Sequence, residues 1–398
     1  MYQAFLTIWR TPALRIATLT MFAAGFGSAA TYPYLSLVAL DQLGLSEQHF
    51  GLILLAAAVL ATLNAVIISH FSDQARDRKG AVLRVLAMGA LGYALFALWP
   101  SVPSFLALLL FFGPIVQTTT PQLFALIRSQ TAEMSSQEAA SINAMVRTTY
   151  SGSWIITPGL VGLYIAWTGR ASDAFGVAAV ALTLCFVLYL TLGARGGRAE
   201  PPEQSAIAGL IEAFRLVLSR RIIGRVGALA MIGIAQSVNA ALLPILITTE
   251  AGGTTGDVGV IAGLTAALEI PLMLAAGWVV LRWSVTRLIA SGGVLFAVYM
   301  FALSGAAAMP VIYGLTVILA AGQAVMFSQH LSFMQDLLPE RPGLGTSLLS
   351  IEMLLVRGLG AAVVAGLGLA YGLSGAFIVT ALVGAAGVVT LLVIGRRA

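Results

Sequence analysis

The sequence predicts an all-α membrane protein whose twelve transmembrane helices form two pseudo-symmetric six-helix bundles. The first observation is composition: 59% of the 398 residues are hydrophobic and 9% are charged, whereas about a quarter of the residues in a soluble domain are charged. The second is that apolar segments of about 20 residues, long enough to cross roughly 30 Å of hydrocarbon as a helix, recur along the whole chain. The third is one long polar stretch that leaves six such segments on either side.

The spans follow one another along the chain, and the strand-like alternation of polar and apolar residues that a membrane barrel needs is absent. We predict them at residues 14–39, 50–71, 81–99, 104–128, 139–168, 174–194, 222–249, 257–281, 286–308, 311–335, 344–371 and 374–395. The first span follows Arg10 and Arg15 and is too long for the apolar core of a signal peptide, so we expect it to remain as an anchor.

The polar stretch between spans six and seven sets the predicted domain boundaries. These are an N-terminal bundle at residues 1–194, a cytoplasmic linker at 195–221 and a C-terminal bundle at 222–398. Apolar residues at helical spacing from Ile207 to Leu218 predict a short helix within the linker that lies on the membrane surface.

The basic residues predict the orientation of the chain. Of the 21 lysines and arginines, 18 fall in the termini and alternate connections or at their membrane edges, whereas Arg170 lies in an opposite-side loop and Arg147 and Arg357 lie within spans. By the positive-inside rule both termini are cytoplasmic. We expect a multi-pass protein of a bacterial inner membrane. The net charge of +5 therefore reflects orientation, and we expect no nucleic-acid partner.

Similar residues recur in the two halves of the sequence at an offset of 208 residues. The matching pairs are Gly51 with Gly259, Ser69 with Gly277, Lys79 with Arg287, and Arg128 with Asp336, and an offset of 210 aligns Val146-Arg147 with Val356-Arg357. Their order and near-constant spacing indicate duplication of a six-helix unit. Parallel repeats of this kind place a substrate site near the bilayer midplane between the halves.

The connection after span two carries the basic motif Ser69-His-Phe-Ser-Asp73-Gln-Ala-Arg76-Asp77-Arg78-Lys79. With twelve spans and a central linker, this motif resembles the Major Facilitator Superfamily over nearly the whole chain. It departs from the superfamily's signature because Ser69 stands where glycine is usual, and its second-half equivalent has Leu281 in place of the acid. The resemblance implies that spans five and eight face each other across the two halves.

More specific stretches in both halves resemble the sugar efflux transporter family within that superfamily. They are Pro121-Gln-Leu-Phe-Ala-Leu-Ile-Arg128, Val146-Arg147 with Trp154 and Pro158, Leu268-Glu269-Ile-Pro271, and Gln335-Asp336-Leu-Leu-Pro339. The resemblance implies export of sugars or similar polar molecules, driven by protons that move inward. The sequence has no phosphate-cradling loop that would hold ATP, so an ion gradient is the expected energy source and no cofactor is expected.

Glu269 is the leading candidate for proton coupling, because an ionisable residue at bilayer depth is costly to insert and marks a functional site by default. Glu352 is the second, since all other acids of the spans lie at ends or loops. Arg147 in span five has a depth similar to that of Glu269 at about 1.5 Å per residue. We predict that these two form a pair across the halves, either as a proton-controlled switch or as a permanent structural contact.

Glu352 and Arg357 lie five residues apart, which places them on different faces of one helix. Each is expected to find its partner on another helix, Arg357 as a substrate-specific or structural group. His330 is the one histidine near a span's interior, and either relays protons or packs as a neutral side chain.

Sugars require many neutral donors and acceptors and an apolar ring face. The candidate substrate-binding residues that meet this need are Asn64, Gln117, Gln122, Tyr150, Trp154, Gln236, Asn239, Gln323, Gln329, His330 and Arg357. Asn239 and Trp154 are the strongest individual choices. Each amide also has an ordinary interpretation as a hydrogen bond between helices.

Candidate gating residues come from the basic motif, from its matches and from prolines within spans. They are Asp73, Arg76, Lys79, Arg128, Asp336, Pro121 and Pro271. A proline within a span removes a backbone hydrogen bond and either acts as a gate or is a tolerated kink.

The sequence therefore predicts a monomeric secondary transporter in the lipid bilayer that exports sugars or related small polar solutes in exchange for protons by alternating access. A proton-coupled multidrug exporter is the alternative within transport, and a non-transporting membrane receptor is the alternative outside it. We expect neither enzymatic activity nor a metal site.

Overall fold

The computed structural model describes residues 2–74, 78–131, 134–193, 211–212, 215, 219–279, 283–338 and 342–395. Within these ranges the chain forms helices with short connections, and no strand. The helices of the first half are Tyr2–Arg10, Pro12–Thr31, Tyr32–Tyr34 (3-10), Leu35–Leu37, Val38–Gln42 (π), Glu47–Gln74, Arg78–Leu98, Val102–Ala107, Leu108–Phe112 (π), Gly113–Val116, Thr119–Gln130, Ser136–Thr168 and Asp173–Leu192. Those of the second half are Arg220–Ile245, Leu246–Glu250 (π), Thr255–Val279, Val285–Leu303, Met309–Asp336 and Pro342–Gly395. In the last of these, Gly372 adopts a φ of 66° and separates span eleven from span twelve.

The chain divides into two compact units. The first comprises Met1–Tyr34 and Leu60–Ala206, and the second comprises Leu35–Val59 and Ile207–Ala398. In the first unit span six packs against spans one and three, and span one packs against span five. In the second, span seven packs against the long helix Pro342–Gly395, and span ten packs against spans eight and nine.

Ten helices within the described ranges are long and apolar enough to cross a membrane, as a multi-pass membrane protein requires. The predicted spans four and five are not among them. Span five is one continuous helix, Ser136–Thr168, whose polar residues lower its mean hydropathy. Span four has an apolar part only from Val102 to Val116. A membrane helix this polar must bury its polar face in protein or in a water-filled path.

Span four is broken rather than continuous, and its two prolines explain the breaks. Pro114 follows the π-turn Leu108–Phe112, and Pro121 lies in the first turn of the helix Thr119–Gln130, after a turn at Gln117. Each proline lacks the backbone N–H that would continue the helical ladder from the preceding turn. Pro121 therefore marks a helix start, whereas Pro271 lies inside the helix Thr255–Val279.

The corner between spans one and two and the corner between spans seven and eight have the same backbone, 208 residues apart. Span one ends in the π-turn Val38–Gln42 and span seven in the π-turn Leu246–Glu250. In both, the first carbonyl of the turn accepts from the N–H five residues later at 2.9 Å. Gly44 and Gly252 follow with φ values of 66° and 70°, in the left-handed region that glycine adopts without steric cost.

The next helix of each corner begins with an equivalent cap. Ser46 accepts from the backbone N–H of His49 at 3.3 Å, and Thr254 accepts from that of Asp257 at 3.3 Å. These contacts satisfy N–H groups that have no partner within the helix. The offset found in the sequence is thus repeated in the turns and caps of the backbone.

Gly51, one turn beyond the first corner, permits a close helix contact within the second unit. A Cβ atom at this position would lie 2.6 Å from the backbone nitrogen of Ala365 and 2.8 Å from the carbonyl oxygen of Ala361. Such close approach of backbones at small residues is a usual way of packing membrane helices.

Candidate functional site

His330 and Glu352 meet inside the second unit. His330 Nε2 on span ten lies 3.2 Å from Glu352 Oε2 on span eleven, and the Glu352 side chain has 0% of its surface exposed. The contact is not aligned as a hydrogen bond, and neither carboxyl oxygen has another hydrogen-bond partner among the described residues. The pair therefore brings together one predicted proton-coupling residue and one predicted relay residue.

Span seven covers the other side of Glu352 with a glycine. A Cβ atom on Gly233 would lie 3.4 Å from Glu352 Oε1 and 2.7 Å from a methyl group of Val356. The carboxyl group is thus enclosed by spans seven, ten and eleven. Burial of an ionised carboxylate with so few donors is expensive, so the pair is stable in this place only with little net charge.

Glu269 is half-buried at the middle of span eight, two residues before Pro271. Within its own unit it forms no hydrogen bond or ion pair with a described residue. Pro271 cannot donate a backbone N–H to the preceding turn. The structure therefore places Glu269 inside an apolar helix as a half-buried residue, and its role in proton coupling stays a prediction.

Arg147 lies in the first unit on the polar span five. Its guanidinium carbon is 5.4 Å from the centre of the Phe124 ring of span four, a cation–π contact. The side chain is otherwise exposed. Phe124 was not among the predicted site residues, although it stands within the stretch from Pro121 to Arg128 that resembles the sugar efflux transporters.

Trp154 forms an aromatic pair with Tyr32, a residue that sequence reasoning missed. The two ring centres are 6.0 Å apart with planes at 69°, and 52% of Tyr32 is exposed. Next to it, the buried hydroxyl of Tyr34 donates to the carbonyl oxygen of Pro158 at 2.5 Å, which fixes span one against span five. The sequence did contain a signal for this site, because two tyrosines, Tyr32 and Tyr34, flank Pro33 at the end of span one.

Asn239 is buried and its side-chain oxygen accepts a hydrogen bond from the hydroxyl of Tyr299 at 2.7 Å. This contact joins spans seven and nine. Tyr299 was not predicted, because the part of span nine around it is apolar and nothing in the sequence separates this tyrosine from a packing residue.

The remaining predicted substrate-binding residues differ in how far the protein covers them. Gln122 and Gln329 are buried, Asn64, Tyr150, Gln236 and Gln323 are half-buried, and Gln117 and Arg357 are exposed. Asn64 donates to the carbonyl of Leu60 in its own helix at 3.0 Å, and Gln329 donates to the hydroxyl of Ser328 at 3.3 Å.

Apart from Pro271, which lies inside the helix Thr255–Val279, the described gating residues that we predicted lie near helix ends. Lys79 Nζ donates to the carbonyl oxygens of Leu190 and Gly193 at 3.1 and 2.8 Å, so the start of span three caps the end of span six. Arg128 and Asp336 are exposed near the ends of spans four and ten. Asp73 lies in the last turn of Glu47–Gln74, and Arg76 lies outside the described residues, as does most of the linker 195–221 with its expected surface helix.

Comparison with known proteins is consistent with this architecture. The family model described as Major Facilitator Superfamily matches residues 17–234. Sugar efflux transporter A of Dickeya chrysanthemi is 28% identical over 82% of this chain and 81% of its own length. Sugar efflux transporter C of Escherichia coli K12 is 25% identical over 83% of this chain and 82% of its own length.

A solved structure extends the comparison to the fold. The crystal structure of the peptide transporter POT in complex with sulfate matches with a TM-score of 0.78 at 15% identity and covers 97% of this chain and 94% of that one. At this identity the likeness concerns the fold alone. It agrees with the predicted fold class.

Proposed function

Because this chain belongs to the Major Facilitator Superfamily, and is thus a membrane transporter and not an enzyme, we propose that it exports sugars or related small polar solutes in exchange for protons. Export proceeds by alternating access between the two six-helix bundles. The protein works as a monomer in a bacterial inner membrane with both termini in the cytoplasm.

Two kinds of observation support a polar, sugar-like solute. The names of its relatives describe sugar efflux, and those matches extend over more than four fifths of this chain. The polar spans four and five supply amides and hydroxyls, while Tyr32 and Trp154 supply ring faces that sugars stack against.

The buried contact between His330 and Glu352 is the observation that carries proton coupling. A dry pair without a proton would bear a net negative charge with no described partner, which is unfavourable in an apolar surrounding. An imidazole and a carboxyl group enclosed together are therefore suited to carry a proton between the two sides of the membrane.

Glu269 is the second protonatable group of the proposal. When its carboxyl group is ionised it attracts Arg147 of span five, and when a proton neutralises it that attraction is lost. Protonation of Glu269 then lets the two bundles move. Both groups respond to the same event, the entry of water into one side of the transporter.

Transport into vesicles tests the proposal directly. Purified protein in proteoliposomes is given a panel of radiolabelled mono- and disaccharides and, separately, lipophilic cations, with and without an imposed pH gradient. We expect sugar movement that the gradient drives uphill. Sugar movement indifferent to the gradient would reject proton coupling, movement of the cations alone would indicate a multidrug exporter, and no movement of any solute would favour a receptor.

A further inference from the structure

An open groove of about 510 Å³ lies on the first unit among spans one, three, five and six. Its walls are apolar, with Phe22 and Phe26 on one side and Val180 and Leu184 on the other, and Asp173 stands at one end. More than a third of the Phe22, Val180 and Leu184 surfaces is left uncovered by the protein. In a membrane such a surface meets lipid chains.

The groove has the depth of one membrane leaflet. From Asp173 to Leu184 the helix advances about 16 Å at about 1.5 Å per residue. Half of the hydrocarbon core is about 15 Å thick. The groove therefore begins at the membrane edge, where span six starts, and ends near the midplane.

An ion pair occupies the membrane-edge end. Arg170 Nη2 donates to Asp173 Oδ1 at 2.9 Å and Arg170 Nε donates to Oδ2 at 3.4 Å. The arginine side chain is 66% exposed and the aspartate 12%. A turn fixes both residues, because the N–H of Asp173 donates to the carbonyl of Arg170 at 3.1 Å. The pair uses one edge of the guanidinium, which leaves N–H groups on its exposed side for a second acceptor.

Aromatic side chains place this end at the level of lipid head groups. Tyr164, which lines the groove, and Trp167 have ring centres 6.1 Å apart, and 40% of the first and 83% of the second residue is exposed. Tyrosine and tryptophan are enriched where membrane proteins cross the interface with water. Arg170 stands three residues after Trp167, in the one predicted loop on the side opposite to the termini that carries a lysine or arginine.

We propose that the groove binds one phospholipid with a primary-amine head group, in the leaflet opposite to the termini. One acyl chain lies along span six, the phosphate accepts from Arg170 and the ammonium donates to Asp173. The ion pair is neutral, so a zwitterionic head group keeps the site neutral, whereas an anionic one adds a net negative charge. A choline head group has no N–H to donate to the aspartate.

Native mass spectrometry of the full-length protein tests this proposal. Delipidated protein is titrated with phosphatidylethanolamine, phosphatidylcholine and phosphatidylglycerol of identical acyl chains. We expect phosphatidylethanolamine to bind about tenfold more tightly than the other two, since charge-assisted hydrogen bonds contribute that much. Arg170→Gln should remove the preference between head groups and retain weaker binding.

Two matched variants separate the groove from lipid contact in general. Val180→Phe fills the groove, whereas Val187→Phe makes the same change at a position 49% exposed, two turns deeper on the same helix and outside the lining. We expect only the first to abolish the bound lipid, with equal melting temperatures for both. Equal affinities for the three lipids, equal effects of the two variants, or a second protein copy in place of lipid would each overturn the proposal. None of these readouts depends on transport.

Discussion

The corners after span one and after span seven share a backbone and differ in chemistry. Each has a π-turn, a left-handed glycine and a hydroxyl cap at positions 208 residues apart. The residue that completes the cap is His49 in the first corner and Asp257 in the second. Ser46 Oγ lies 2.8 Å from the His49 imidazole, whereas Asp257 accepts from both the N–H and the hydroxyl of Thr254 and from the hydroxyl of Tyr313.

The same contrast holds at membrane depth. By the offsets that align the halves, Ala61 corresponds to Glu269 and Ile142 corresponds to Glu352. A duplicated scaffold therefore retains its turns and caps in both halves, but only the second half places carboxyl groups deep in its spans among the described residues. Backbone geometry is under the same constraint in both copies, whereas a buried charge is useful only where a partner or a proton can reach it.

Replacement of the deep carboxyl group should have the largest effect on function. Glu269→Gln is expected to lower gradient-driven sugar accumulation by about tenfold or more, the range of a typical coupling free energy, while exchange down a sugar gradient continues. Uptake into proteoliposomes with and without a pH gradient measures both. Asp257→Asn, in the first turn of the same helix, is the control and should keep uphill transport. If the Glu269→Gln variant accumulates sugar as the parent does, Glu269 is not part of the mechanism.

The buried pair should give the largest effect on stability. His330→Ala leaves Glu352 enclosed without its partner and should lower the free energy of unfolding by about 3 kcal/mol. His330→Ala with Glu352→Gln should recover part of this loss, because the amide carries no charge. Thermal unfolding in detergent compares the variants, and the double variant matching the single one would show that the two side chains are not energetically coupled.

Gly51 offers a test of packing within the second unit. Gly51→Ala should cost about 1–3 kcal/mol, because its methyl group would overlap the backbone at Ala361 and Ala365. Gly227→Ala is the matched change in a helix where the added Cβ meets no atom within 4 Å, so it should be neutral or stabilising by up to about 1 kcal/mol. Similar melting temperatures for the two variants would contradict the close contact.

The two caps should respond unequally. Asp257→Ala removes acceptors for Thr254 and Tyr313 and should cost about 1–2 kcal/mol, whereas His49→Ala should cost about half of that or less. The difference in melting temperature between each variant and the parent measures these two stability costs. If both changes cost the same, the additional contact to Tyr313 does not contribute.

The smallest effect concerns the cap at the start of span five. Hydrogen bonds from the hydroxyl and N–H of Ser135 hold the pKa of Glu138 below its ordinary value. The ionised Glu138 carboxylate therefore stabilises the helix start fully at pH values above the ordinary carboxyl pKa, and this contribution is lost as the pH falls through the lowered pKa. The protection of the amides in the first turn of Ser136–Thr168, measured as their hydrogen-exchange rate relative to the intrinsic rate at the same pH, should be high at pH 7 and lower near pH 3. Ser135→Ala should lessen that dependence, and an unchanged pH profile would argue against the cap.

Much of the architecture follows from local sequence. Apolar length and charge distribution predict the spans, and ten of them satisfy length and hydropathy as helices. The offset of 208 residues was also visible, in pairs such as Gly51 with Gly259 and Lys79 with Arg287. The breaks of span four were less accessible: its prolines were recognisable, but whether a proline bends a helix or ends one depends on the neighbouring helices that accept the freed carbonyl groups.

Composition and periodicity alone determined that this chain lies in a membrane, roughly where its helices fall and that Glu269 and Glu352 stand within spans, since these are properties of single helices in an apolar solvent. Tertiary structure decided which side chains meet: His330 with Glu352, Trp154 with Tyr32, Asn239 with Tyr299. The physical reason is that contact between helices depends on their relative rotation and translation, and a shift of one residue turns a side chain by about 100°. That register is set by packing over whole helix faces, which a linear sequence does not display.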